Sequence, residues 1–379
     1  MVACCGLEVQ SRRFMSPSAL RRRIGQLLVA GFDGVQIPVE LRSLAREFDL
    51  GGVILFARNI VELDQVAELC FEAAALGGEF PAWVSIDQEG GRVARLRAPF
   101  TEWPPMATLG RSGDVALAER FARALSVEMR AVGVSLDYAP VLDVHTNPGN
   151  PVIGDRALSG KAEDVARLGR AIVTAMQAEG LAACGKHFPG HGDTSADSHL
   201  ELPLVEHPIE RLRQVELVPF RAAIEAEVAA IMTAHIFLPA LDDTRPATLS
   251  RRVVDGLLRE SLGYDGLILS DDLEMKAIAR DYSVPAAAVL AVEAGCDGVL
   301  VCSGNWEVQA AALEALIHAV EDEQLPLARV DDAVRRQRRV KERFVSAESL
   351  TRPVTTRQLR QMVGLDAHQA VADEMARFA

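Results

Sequence analysis

The stretch LAACGKHFPGHGDTSADSH, residues 181–199, decides the fold and points to the chemistry. A short apolar run, LAAC, leads through Gly185 into fourteen positions, Lys186 to His199, that hold three histidines, two aspartates, a lysine and two glycines. A buried strand ending in such a cluster describes the rim of an active site, because loops carry chemistry when a rigid scaffold positions them. Histidine and aspartate are also ordinary turn residues, so the neighbouring runs have to discriminate.

Seven further runs share this pattern of a short apolar segment, a turn, and then a helical pattern. They are QLLVAGF (26–32), GGVILFA (51–57), AWVSID (82–87), VSLDYAPVLDV (134–144), AAIMTAHI (229–236), GLILSDD (266–272) and GVLVCS (298–303). Most are continuously apolar, as expected of parallel strands covered on both faces. Between them, stretches such as 62–76, 115–133, 162–180, 209–226 and 308–322 repeat apolar residues every three or four positions. Eight strands alternating with helices predict an α/β fold, a single-domain (β/α)8 barrel. The competing doubly wound sheet would carry a G-x-G-x-x-G fingerprint after its first strand, and none stands there.

The bulk composition bounds the function. A chain of 379 residues with 49% hydrophobic and 25% charged residues can bury a large core. Its net charge of −13 argues against a nucleic-acid partner, which would call for a basic face. No run has the length of a membrane span, so no membrane partner is expected. The start MVACC resembles a lipoprotein cleavage site but has neither the basic nor the apolar region before it. Cysteines 4, 5, 70, 184, 296 and 302 form no pairing framework, and the last three sit in apolar runs as small core residues. A cytoplasmic, monomeric protein is expected. Met15 is an alternative start, which makes residues 1–14 an extension. Residues 15–345 form the barrel, and 346–379 a helical tail packed on the barrel or on a partner.

In such barrels the functional groups stand at the C-terminal strand ends. Here those ends carry Asp87, then Arg92 and Arg95; Asp155 and Arg156; Lys186, His187, Asp197 and His199; His235; and Asp271 with Asp272. Taken singly, Asp87, Arg156 and Lys186 could form an ion-pair network that ties loops together, and His235 could be a satisfied core histidine. Two adjacent carboxylates closing LILS are harder to explain structurally, because their burial must be offset by partners.

Two chemistries fit. His187, His191, Asp193, Asp197 and His199 are metal-ligand types at close spacing, which would suit a metal hydrolase, although Lys186 would place a positive charge beside the ion. A glycosidase instead needs a nucleophile on one side of the anomeric carbon and an acid on the other. Asp271 can supply the first and His199 the second, with Asp197 holding the imidazole and favouring its protonated form.

The ordered motifs GGVILFARNI, DQEGGRVARL, DYAPVLDV with IGDR, KHFPGHGDTSADSH, MTAHI and SDDLEM resemble the family 3 glycoside hydrolases. The likeness is to the single-domain bacterial β-N-acetylhexosaminidases of peptidoglycan recycling, and it covers roughly residues 27–343. It implies that Asp271 is the nucleophile of a covalent glycosyl-enzyme intermediate, His199 the acid/base and Asp197 its dyad partner. It also implies that Asp87, Arg95, Arg156, Lys186 and His187 bind N-acetylglucosamine at the −1 subsite. His235 is assigned no role beyond lining.

The resemblance implies no metal and no cofactor, and as partner only a carbohydrate substrate containing N-acetylglucosamine, such as an anhydro-muropeptide. A histidine acid/base leaves less negative charge beside an incoming anion than a carboxylate would, which keeps phosphorolysis open as an alternative. Larger family members, many of them β-glucosidases, take their acid/base from a second domain, for which no room is seen after the eighth strand.

Overall fold

The computed structural model describes residues 16–78, 80–345 and 355–379. Cys4, Cys5, Met15 and the head of the C-terminal tail lie outside them. Eight strands close into one parallel barrel in sequence order. They are β1 (Leu28–Ala30), β2 (Gly52–Leu55), β3 (Trp83–Ile86), β4 (Leu136–Asp137), β5 (Ala182–Phe188), β6 (Ala230–Thr233), β7 (Leu267–Asp272) and β8 (Gly298–Val301). Each lies inside one of the eight apolar runs, and β8 pairs with β1 to complete the ring.

The strand period of two sorts the side chains. Val29, Ile54, Trp83, Leu136, Cys184, Leu269 and Leu300 point inward and pack together as the barrel interior. Their neighbours Val53, Val84, Ile268 and Val299 join the larger layer between sheet and helices. Both faces are therefore buried, which is why the runs are continuously apolar. Removing one such interior side chain, for example Leu269→Ala, should cost about 3 kcal/mol.

The helix Leu327–Phe344 seals the N-terminal end of the barrel, with Val340 and Phe344 in the interior cluster. Its Gln337 accepts the Trp83 indole N–H at 2.9 Å. One turn on, Lys341 is sealed from solvent and donates to Gln26 Oε1 at 3.0 Å. Burial pushes its amine down to about 7.

One difference from the sequence reading has a physical cause. The helical stretch 209–226 is two helices, Ile209–Gln214 and Leu217–Glu225. Pro219 has no N–H to offer the carbonyl of Val215, so the first helix cannot run on. The tail forms a helix, Asp366–Ala376, against the barrel helix Val115–Ala131. Glu374 pairs with Arg120 at 2.8 Å, and His368 Nδ1 lies 2.8 Å from buried Glu128. The four described cysteines are buried and free, and no described helix is long and apolar enough to cross a membrane.

Candidate active site

The pocket is the next storey of the barrel. Continuing the inward positions by two residues, beyond Trp83, Leu136, Cys184 and Leu269, reaches Asp87 (through Ser85), Tyr138, Lys186 and Asp271. All four line one cavity of about 260 Å³ at the C-terminal mouth. That volume suits a single sugar ring better than a chain. Pairing register shifts in β5 between Gly185 and Phe188, and between β7 and β8 from Leu269 to Asp272. Such irregularities re-aim side chains. Here consecutive residues, Lys186 with His187 and Asp271 with Asp272, both reach the cavity.

The cationic wall is built on Glu89. Its carboxylate receives two parallel hydrogen bonds from Arg156, Nε at 2.8 Å and Nη2 at 2.7 Å. Lys186 Nζ lies 2.6 Å from the same carboxylate and 2.7 Å from Asp87 Oδ1. Burial alone would raise the Glu89 pKa, but the two cations outweigh it and hold the group far below the carboxylate range. The same contacts hold Lys186 and Arg156 protonated against their own burial. Arg95 completes the wall, 3.4 Å from Asp87 Oδ2 and stacked 5.5 Å from the centre of the Phe56 ring. Its buried Nε has no protein partner.

His187 is fixed from behind. Nδ1 lies 2.6 Å from Asp143, a fully buried carboxylate that also accepts the His191 backbone N–H at 2.6 Å. Burial works to raise the Asp143 pKa, and the His187 charge and hydrogen bond bring it down. This leaves the other ring nitrogen of His187 for the cavity. His191 is fully engaged, Nδ1 with the Thr194 hydroxyl and Nε2 with that of Ser198. Burial and the neighbouring His187 push its pKa down to about 4, so it is neutral near pH 7.

Asp271 accepts the Asp272 N–H at 2.8 Å. Desolvation would raise its pKa, but His235, His187, that N–H and Lys186 together hold it below the usual value, ready as an anion. Asp272 goes the other way. Burial, with Glu274 and Asp271 nearby, pushes it up to about 7. His235 sits behind them, with Nε2 2.9 Å from the Asp272 carbonyl oxygen. Burial lowers its own pKa against the pull of Asp271, and its Nε2–H donates to that carbonyl.

The loop after β5 folds over this layer because its glycines permit close approaches. A Cβ at Gly192 would meet the Val144 carbonyl, and Gly190, at φ +129°, abuts Glu216. The loop presents His199 at the rim, its Nδ1 2.8 Å from Asp197 Oδ1. Partial burial acts to raise the Asp197 pKa, and the His199 backbone and ring bonds lower it.

Of the residues singled out in the sequence, Asp87, Arg95, Arg156, Lys186, His187, His199 and Asp271 line the one cavity, and Asp197 stands behind His199. Arg92 and Asp155 lie outside it, half-exposed and 3.9 Å apart. Sequence reading missed Glu89 and Asp143, and named His191, which also lines the cavity, only as a candidate metal ligand. Glu89 stood in the quoted DQEGG and Asp143 in VLDV, but nothing in one strand shows which buried cation will meet it. The histidines and aspartates that could suggest a metal site do not converge. His187, His191 and Asp193 are engaged with partners outside the set, and Asp197 and His199 with each other. Among the described residues no group of three or more His, Cys, Asp or Glu is arranged to hold a metal ion.

A parallel barrel whose mouth carries a one-sugar pocket of carboxylates, cations and histidines has the build of a glycoside hydrolase. The chain belongs to glycosyl hydrolase family 3: residues 19–340 match that family's N terminal domain. It is 42% identical over 67% of its length to the β-hexosaminidase of Thiobacillus denitrificans, covering 72% of that protein. It is also similar to the family 3 β-N-acetylglucosaminidase of Paenibacillus sp. FPU-7. That structure superposes with a TM-score of 0.87 at 44% identity, over 95% of this chain and 68% of the other. NagZ of Neisseria gonorrhoeae, solved with N-trifluoroacetyl-D-glucosamine, gives 0.74 at 30% identity, over 94% of this chain and 98% of its own.

Proposed function

We propose that this chain is a retaining exo-β-N-acetylglucosaminidase, with Asp271 as nucleophile and His199, oriented by Asp197, as acid/base. The supporting observation is that Asp271, held as an anion, lines the same cavity whose rim bears the His199–Asp197 pair. Asp87, Arg95, Arg156, Lys186 and His187 take the roles of grips on the hydroxyl and acetamido groups of the terminal sugar. Asp271 attacks the anomeric carbon as the His199 imidazolium gives its proton to the departing glycosidic oxygen. The neutral imidazole then takes a proton from water, which attacks the glycosyl-Asp271 ester and releases the sugar with retained configuration. The substrate we infer is an anhydro-N-acetylmuramyl disaccharide, with or without peptide, acted on in the cytoplasm. The motif likeness to recycling enzymes supports that choice.

The experiment is hydrolysis of matched p-nitrophenyl β-N-acetylglucosaminide and β-glucoside in chelator, with and without phosphate, by wild type and Asp271→Ala. Preference for the N-acetyl substrate, lost in the variant and indifferent to chelator, is the expected result. Sugar 1-phosphate as product would make the enzyme a phosphorylase. Retained turnover in Asp271→Ala would remove that residue from the nucleophile role.

A further inference from the structure

A second histidine–carboxylate pair stands outside the cavity. His207 Nε2 lies 2.5 Å from Asp193 Oδ2, although the two stand fourteen positions apart in the chain. Asp193 Oδ1 accepts the Thr146 hydroxyl at 2.5 Å, and Asn147 Nδ2 donates to the Thr194 carbonyl at 3.1 Å. Asp193 therefore joins three pieces of chain: the loop after β4, the start of the loop after β5, and that loop's end, one residue before the N-cap of the helix Ile209–Gln214. Burial works to raise its pKa, while Thr146 and His207 lower it and keep it a carboxylate. Arg211 and Glu216 are the other charged groups beside it, 3.3 Å from each other.

The segment closed by this pair contains Asp197 and His199. Inside it, Ser198 is held by His191 and by the Ala277 N–H, and Val205 by the Phe237 carbonyl. Between these contacts Ser195, His199 and Leu200 are exposed. Neither Asp193 nor His207 lines the cavity.

We propose that the Asp193–His207 pair is a clasp that positions His199 for proton transfer to the leaving group, with His207 a positioning residue of the same reaction. This rests on His199 being the acid/base. Joining the ends of the segment 193–207 removes chain entropy that would otherwise spread His199 over many placements. Proton transfer needs the donor within hydrogen-bond reach of the leaving oxygen. The grip on the terminal sugar comes from other strands and should not depend on the clasp.

The test is kcat/KM of wild type, His199→Ala, His207→Phe and His207→Gln on diacetylchitobiose, whose leaving group needs an acid, and on a dinitrophenyl β-N-acetylglucosaminide, whose leaving group does not. We expect His207→Phe to lose about tenfold on the disaccharide and less than about twofold on the activated substrate. His207→Gln, which keeps a donor close to the Nε2 position, should recover most of the loss. Equal losses on both substrates, or none on the disaccharide, would overturn the clasp. If His199→Ala itself shows no selective loss, the acid/base assignment fails and the clasp falls with it. Thr146→Val, which strips the other partner from Asp193, gives the same comparison should His207→Phe not fold.

Discussion

Lys186 Nζ lies 2.6 Å from Glu89 Oε1, and both side chains are almost completely withdrawn from water. A buried ion pair is strongly dependent on each member, because removing one leaves the other charged and unsolvated. Glu89→Gln leaves Lys186 with only Asp87 and strips Arg156 of its bidentate partner. The expected cost is about 3 kcal/mol in denaturant unfolding, with a raised KM as the cationic wall relaxes. The carboxylate is depressed in the fold, so its contribution is complete above an unfolded value of about 4.3 and lost as pH falls below that. The variant should therefore show a shallower decline in stability below pH 4. An unchanged stability profile would mean that the network is dispensable.

Asp197→Ala tests the orientation of His199. Without the carboxylate, nothing holds the ring at Nδ1, so proton transfer to a poor leaving group should suffer while a dinitrophenyl leaving group, which needs no acid, is largely spared. The rate with the poor leaving group should fall by about tenfold to a hundredfold. Equal losses on both kinds of substrate would exclude the pair from the acid/base step.

Asp272, pushed up to about 7 in the fold, is penalised for ionising there. Relative to an unfolded value of about 3.9, folded wild type binds the extra proton between those two values, so its stability should fall as pH rises through that window. Asp272→Asn can still accept the Glu274 and Cys302 N–H groups but has nothing to titrate. Melting temperatures across pH 4 to 8 should show the variant gaining on wild type up to about 7 and running parallel above it.

Lys341 has the complementary sign. Its folded value of about 7 lies below an unfolded value of about 10.4, so the unfolded chain binds more protons between them and stability rises with pH in that interval. Lys341→Met fills the same space without a charge, at the cost of the hydrogen bond to Gln26, about 1 kcal/mol. The variant's stability relative to wild type should be greatest at pH 7 and below and should shrink toward pH 10. A difference independent of pH would show that the amine remains protonated through its burial.

The barrel was legible because a strand covered on both faces has to be continuously apolar, and eight such runs alternated with helical periods. The rim was legible because Asp87, Lys186 and Asp271 lie where those runs turn polar. The break at Val215 could be read from Pro219 in retrospect, but the helical period of 209–226 concealed it.

Sequence alone determined the strand count, the family motifs and the residue types that reach the mouth of the barrel, since these follow from local periodicity and from which side chains can be buried. Tertiary structure decided which charges meet. Glu89 faces Lys186 and Arg156, Asp143 faces His187, and Asp193 faces His207 across separations of fourteen to 97 residues. No local rule encodes those pairs: the first two form only when the closed sheet brings together strand ends and loops that are distant in the chain, and the third only when one long loop folds back on itself.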